Sequence, residues 1–78
     1  MIYEVDYVLK TEKFKTYSEE FHTLPLTRQF VERLSTNARE ILVYKLSSSM
    51  PECEKRLIYK LDNLHYSTYA ADEYSNEK

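Results

Sequence analysis

The sequence predicts a small α+β domain, in which an antiparallel sheet of three or possibly four strands is covered on one face by one or two helices. Three observations lead to this prediction. Residues 2–10 alternate between two faces with a period of two, which is typical of a half-buried strand. Apolar residues between positions 26 and 34 recur at helical spacing. The chain has 78 residues, which is enough for one domain. The expected order of elements is ββαβα, with ββαββ as the alternative.

The first two strands are expected to form a hairpin. The first strand places its larger apolar residues on one face, namely Tyr3, Val5, Tyr7 and Leu9. The connection at residues 11–13 contains no glycine, which favours a type I or longer turn. Residues 14–21 then form a weaker second strand.

A helix and a third strand are predicted to follow the hairpin. Thr23 has the character of an N-cap, and Pro25 is tolerated in the first helical turn. The helix is expected to end at Asn37 in a left-handed cap. Residues 40–46 are apolar on both faces, as in a covered strand. A helix crossing back over the hairpin would place strand one between strands two and three, and would leave the other sheet face uncovered unless a partner covers it.

Residues 50–65 allow two interpretations. The segment 49–52 has the form of a capping box, and Cys53, Leu57, Leu61 and Leu64 make one helical stripe, so a second helix is favoured. Residues 56–61 also alternate, which would make a fourth strand instead. Residues 1–66 are therefore expected to form the single domain. Residues 67–78 are polar and are expected to be a frayed or disordered tail.

The composition excludes several classes of function. The chain has no glycine, so Gly-rich phosphate-binding loops are excluded. The single cysteine, Cys53, permits no internal disulfide, and no apolar leader follows Met1, so a cytoplasmic location is expected. No apolar run approaches the roughly 20 residues of a membrane span.

No catalytic, metal or cofactor site is predicted. His22, His65 and Cys53 are far apart in the sequence and lack the spacing of metal ligands. The serines at 47–49 have no neighbouring base and are interpreted as a loop and a cap. The chain is therefore predicted not to be an enzyme.

Binding is the remaining function, and two sets of residues are candidates for it. Acidic and tyrosine side chains form the predicted protein-binding surface: Glu4, Asp6, Glu19, Glu20, Tyr66, Tyr69 and Tyr74. The alternative is nucleic-acid binding through basic side chains of the hairpin and helix: Lys10, Lys13, Lys15, Arg28 and Arg33. The net charge of −2 makes nucleic acid the less favoured partner. A structural homodimer, formed through the uncovered sheet face, is a third hypothesis.

The stretch from Phe14 to Leu46 resembles a pattern found in small phage and mobile-element proteins. In that pattern a strand is followed by F-x-T/S-L, a short amphipathic helix, and a strand ending in V/I-Y-K/E-L. Here these elements are Phe21–Leu24, the helix at 26–34, and the strand at 41–46. The resemblance implies a viral accessory protein that inhibits or modulates a host protein complex, as anti-CRISPR proteins do. The glycine usual after the helix is missing, and no functional residue is carried over because the group shares no site motif.

Overall fold

The structure, a computed structural model, describes residues 2–12, 14–47 and 54–75. Within these ranges the chain forms β1 (Ile2–Leu9), β2 (Thr16–Phe21), α1 (Leu24–Leu34), β3 (Ala38–Ser47), β4 (Glu54–Asp62), β5 (Ser67–Ala70) and α2 (Asp72–Ser75). All neighbouring strands are antiparallel, in the spatial order β2-β1-β3-β4-β5. The α+β prediction and the central position of β1 between β2 and β3 are confirmed. The observed order is ββαβββα, so the favoured order ββαβα is wrong, while the alternative ββαββ agrees with the first five elements. The sheet has more strands than the three or four predicted, and the number of helices agrees with the prediction.

The beginning of α1 follows from its capping residue. Thr23 has an extended backbone, and its hydroxyl accepts a hydrogen bond from the Leu26 N–H at 3.4 Å. This contact satisfies one of the N–H groups that have no partner inside a helix. The end of α1 differs from the prediction because the helix needs no left-handed residue. Asn37 does not have a positive φ, and its N–H donates to the Leu34 carbonyl at 2.9 Å instead.

The core lies between α1 and one face of the sheet. Its fully buried members on the three central strands are Val5, Ala38, Ile41, Val43 and Ile58. Val31 of α1 packs against this cluster. The aromatic rings of Tyr7 and Phe21 extend it to the hairpin, since each contacts the ring of Phe30, at 5.7 and 5.0 Å between centroids.

The helix favoured for residues 50–65 is wrong, because residues 54–62 form β4. This strand pairs with β3 along its whole length. Between the pairs Val43↔Tyr59 and Tyr44↔Leu57, β4 contains one extra residue, Ile58, which makes a β-bulge. Pairing with β3 satisfies the backbone of β4 and buries Ile58, and these long-range gains outweigh the local helical pattern. The capping box at 49–52 and Cys53 lie outside the described residues.

Residues 67–75 also differ from the predicted tail, because they form β5 and α2. β5 pairs with β4, and the Ala71 N–H then donates to the Ile58 carbonyl at 2.9 Å. The next turn places Tyr74 over Tyr59, with ring centroids 4.4 Å apart. The ring of this tyrosine supplies the apolar area that anchors the segment, although residues 67–78 are mostly polar in composition. Residues 76–78 lie outside the described residues.

Neither α1 nor α2, the helices of the described ranges, is long and apolar enough to cross a membrane.

Candidate functional site: the open face of the sheet

Both described helices lie on the same side of the sheet. α1 reaches that side through Phe30, which contacts Tyr7, and α2 reaches it through Tyr74, which stacks on Tyr59. Arg28 of α1 also donates to the Tyr74 carbonyl, which joins the two helices. In residues 2–12, 14–47 and 54–75, no helix covers the opposite side. We call this opposite side the open face.

The strand registers define the open face row by row. One row runs across four strands through Glu20, Glu4, Tyr44 and Leu57. The adjacent row runs across all five strands through Ser18, Asp6, Leu42, Lys60 and Tyr69. The same face also carries Ile2 and Val8 of β1, Leu46 of β3 and Lys55 of β4. Apolar side chains therefore follow β3 along the middle, with carboxylates on the β1–β2 side and lysines on the β4 side, and with Glu40 and Asp62 at one end of the face.

Polar contacts hold several of these charges in place. The Lys55 ammonium bonds the Glu4 carboxylate at 2.9 Å and lies 5.6 Å from the centre of the Tyr44 ring. The hydrogen bond and the charge of Glu4 raise the pKa of Lys55 above its ordinary value. On the edge strand, the Ser18 hydroxyl donates to Asp6 at 2.5 Å. On the open face, Glu4 is thus paired with Lys55 and Asp6 with Ser18, and the Lys55 ammonium lies over the Tyr44 ring.

The structure brings together four of the seven predicted protein-binding residues. Glu4, Asp6, Glu20 and Tyr69 all lie on the open face. The other three lie elsewhere. Glu19 pairs with buried Val5 and so belongs to the helix-covered side of the edge strand, while Tyr66 is 93% exposed in a turn with a φ of 55°.

Tyr74 is the third of these and is a core residue. It is only 7% exposed, whereas the sequence placed it in a polar tail that no core would include. Burial raises its pKa to about 12, and burial also raises the pKa of its neighbour Tyr59. Both shifts follow from the cost of placing a phenolate away from water.

This buried hydroxyl predicts a loss of stability in alkali. An unfolded tyrosine ionises near pH 10, whereas folded Tyr74 keeps its proton to about pH 12. The unfolded state therefore releases its proton first, and the free energy of unfolding falls as the pH rises between these two values. Urea unfolding should show a smaller fall for Tyr74→Phe than for the wild type. Tyr66→Phe, at an exposed position, should behave as the wild type does, and equal curves for all three would contradict the assignment.

The candidate nucleic-acid residues are divided between separate parts of the surface. Lys10 and Arg33 line one pocket of about 630 Å³, over apolar side chains that include Phe30. Lys15 lies over the Tyr17 ring on the hairpin, at 4.9 Å. Arg28 is held against α2. Lys13 lies outside the described residues. The four described candidates, Lys10, Lys15, Arg28 and Arg33, therefore do not form one continuous track for a phosphate backbone.

One polar pair was not predicted from the sequence. In the turn after β4, the Nδ1 atom of His65 lies 2.7 Å from the Asp62 carboxylate. This carboxylate also accepts hydrogen bonds from the backbone N–H groups of Leu64 and His65. The hydrogen bond from His65 lowers the pKa of Asp62. The D-x-x-H spacing was the available signal. Among the described residues, no serine, threonine or cysteine lines the adjoining pocket of about 160 Å³, so the pair is interpreted as a turn cap. In the described ranges, no group of three or more His, Cys, Asp or Glu side chains is arranged to hold a metal ion.

The sequence also missed the apolar and basic parts of the open face. Leu42 and Tyr44 were assigned to a strand covered on both faces, and Leu57 and Lys60 to a helix. The alternation in residues 56–61 was the signal that would have placed Leu57 and Lys60 in the sheet.

Comparison of the chain with known proteins gives no matching family model, no matching curated protein and no matching solved structure.

Proposed function

We propose that this chain is a non-enzymatic protein-binding module and that the open face of its sheet is the binding surface. The observation that supports this proposal is the apolar middle of that face. In an antiparallel sheet with one face in water, strands usually alternate apolar and polar residues. β3 does not alternate in this way, because Leu42, Tyr44 and Leu46 lie on the open face while Ile41 and Val43 fill the core. An apolar centre with a charged rim is the usual anatomy of a protein interface.

The charges of the open face favour a partner that is itself polar and charged. Glu4, Asp6 and Glu20 would face basic groups, such as those that line a nucleic-acid-handling complex. We propose a host or phage protein of this kind as the partner, which the chain would inhibit or modulate in the cytoplasm. The resemblance of residues 14–46 to small phage accessory proteins supports this part of the proposal. The single cysteine supports a reducing compartment.

Paired substitutions on the two sides of the sheet test the proposal. Leu42→Glu places a charge in the middle of the open face, whereas Gln29→Glu places the same charge on the exposed surface of α1. Tagged wild-type and variant chains are used to capture proteins from host cells, and the captured proteins are quantified by mass spectrometry. We expect Gln29→Glu to retain the wild-type partners and Leu42→Glu to lose them, while circular dichroism shows both variants folded. Retention of every partner by folded Leu42→Glu would overturn the assignment of the surface.

A further inference from the structure

We infer that the open face binds a second copy of this chain when no other partner covers it. This inference rests on the proposed function, since it names an occupant for the same surface. It starts from the way charge is divided across the face. The acids Glu4 and Asp6 lie on β1, and the bases Lys55 and Lys60 lie on β4, with apolar β3 between them.

The division of charge selects one symmetric arrangement. In a face-to-face dimer the two-fold axis lies in the plane between the sheets. If the axis runs parallel to β3, then β1 of each copy lies over β4 of the other, Asp6 meets Lys60 of the same row, and Lys55 lies one row from Glu4. The apolar residues of β3, among them Leu42 and Leu46, then meet their own copies. If the axis runs across the strands instead, β1 lies over β1 and the acids meet acids.

The favoured arrangement also agrees with how sheets pack. An axis parallel to β3 keeps the strands of the two sheets aligned, apart from the angle of about 30° that sheet twist produces. One end of the face departs from this pattern. Glu40 lies on β3 one row beyond Leu42, so it meets its own copy, and this like-charge contact weakens that end of the interface.

The size of the face indicates a weak dimer. With strands about 4.8 Å apart and residues about 3.4 Å apart, the sheet offers roughly 600 Å² of flat area per copy, or about 1,200 Å² in total. That total is at the lower end of specific interfaces. We therefore expect association in the micromolar range, which a tighter partner would displace by occupying the same face.

Charge exchange tests the arrangement. One variant combines Glu4→Lys with Asp6→Lys, and the other combines Lys55→Glu with Lys60→Glu. Sedimentation velocity is measured from about 5 to 500 µM, a range that brackets a micromolar association. We expect the wild type to shift from monomer to dimer, each variant alone to have a dissociation constant raised at least about tenfold, and an equimolar mixture of the two to recover the dimer.

The mixture separates contacts between copies from effects within one copy. Both variants place like charges where Glu4 and Lys55 pair within the chain, and mixing leaves this internal defect unchanged. Recovery on mixing would therefore come from contacts between copies. A monomeric wild type over the whole range, or a monomeric mixture of folded variants, would overturn the inference. If either variant fails to fold, Leu42→Glu replaces the pair: it should be monomeric where the α1 control Gln29→Glu is dimeric, and equal association of the two would also overturn the inference.

Failure of this inference is distinguishable from failure of the proposed function. A monomeric wild type whose host partners are lost on Leu42→Glu removes the second copy as occupant and leaves the open face as the binding surface. If the wild type is monomeric and Leu42→Glu captures the same partners as the wild type, both the dimer and the open face as binding surface are ruled out.

Discussion

Replacing Ile58 with alanine is expected to lower the free energy of unfolding by about 3 kcal/mol. Ile58 is fully buried, and it lies at the bulge where β4 meets the core formed by β1, β3 and α1. Truncating it removes apolar area from the core and leaves a cavity. A chain of 78 residues has a total stability of roughly 4 to 12 kcal/mol. One substitution should therefore remove a large part of the total and lower Tm by roughly 15 °C.

Leu57 provides the matched control, because it is the same kind of residue one position earlier in the same strand. It lies on the open face and is only half-buried, so Leu57→Ala should cost about 1 kcal/mol. Urea unfolding followed by circular dichroism measures both values. Equal losses for the two variants would mean that residues 54–62 do not form a strand with one face in the core. That result would restore the helix favoured by the sequence.

The first half of the fold follows from the sequence because its signals are local and agree with one another. In β1 the alternation of Tyr3, Val5 and Tyr7 specifies a face, and that face proves to be the one packed against α1. In α1 the cap at Thr23 specifies where the helix begins. When local pattern and long-range packing favour the same structure, a single sequence is sufficient to predict it.

The second half did not follow because its local pattern and its packing disagree. Leu57 and Leu61 are spaced like one face of a helix, yet in the bulged strand they lie on opposite sides of the sheet. A bulge changes which residues of a strand share a face. The residue type at position 58, isoleucine, gives no sequence signal that a bulge occurs there. The choice of strand depends on pairing with β3, which is a long-range contact that no short window of sequence contains.

The candidate site was predicted in part for the same reason. Glu4 and Asp6 were found because they lie on a strand that was predicted correctly. Leu57 and Lys60 were missed because they lie on β4, and Tyr74 was misplaced because its contact with Tyr59 spans two elements. The acidic half of the open face could thus be predicted from the sequence. The apolar and basic half could be identified only once the pairing of β3 with β4 was known.

Replacing Tyr74 with alanine is expected to cost about 2 to 3 kcal/mol and to detach α2 from the sheet. Tyr74 is almost fully buried and stacks on Tyr59. The other contacts of α2 include ion pairs of Glu73 and the hydrogen bond that Arg28 donates to the Tyr74 carbonyl. Glu73 bonds Lys45 at 3.1 Å and also pairs with Arg56, but these side chains are partly exposed, and such pairs contribute about 0 to 1 kcal/mol. The docking of a four-residue helix therefore depends chiefly on one ring.

Deleting residues 72–78 provides the strongest comparison for this prediction. If Tyr74 supplies most of the docking energy, the deletion should lower the free energy of unfolding by nearly the same amount as Tyr74→Ala, as measured in urea. Tyr69→Ala is the control, since this tyrosine is half exposed on β5 and should cost less than about 1 kcal/mol. A deletion far more costly than Tyr74→Ala would instead assign the docking to Glu73 and its two cations. Because α2 covers Tyr59 on the helix side, either result leaves the open face on the opposite side of the sheet unchanged.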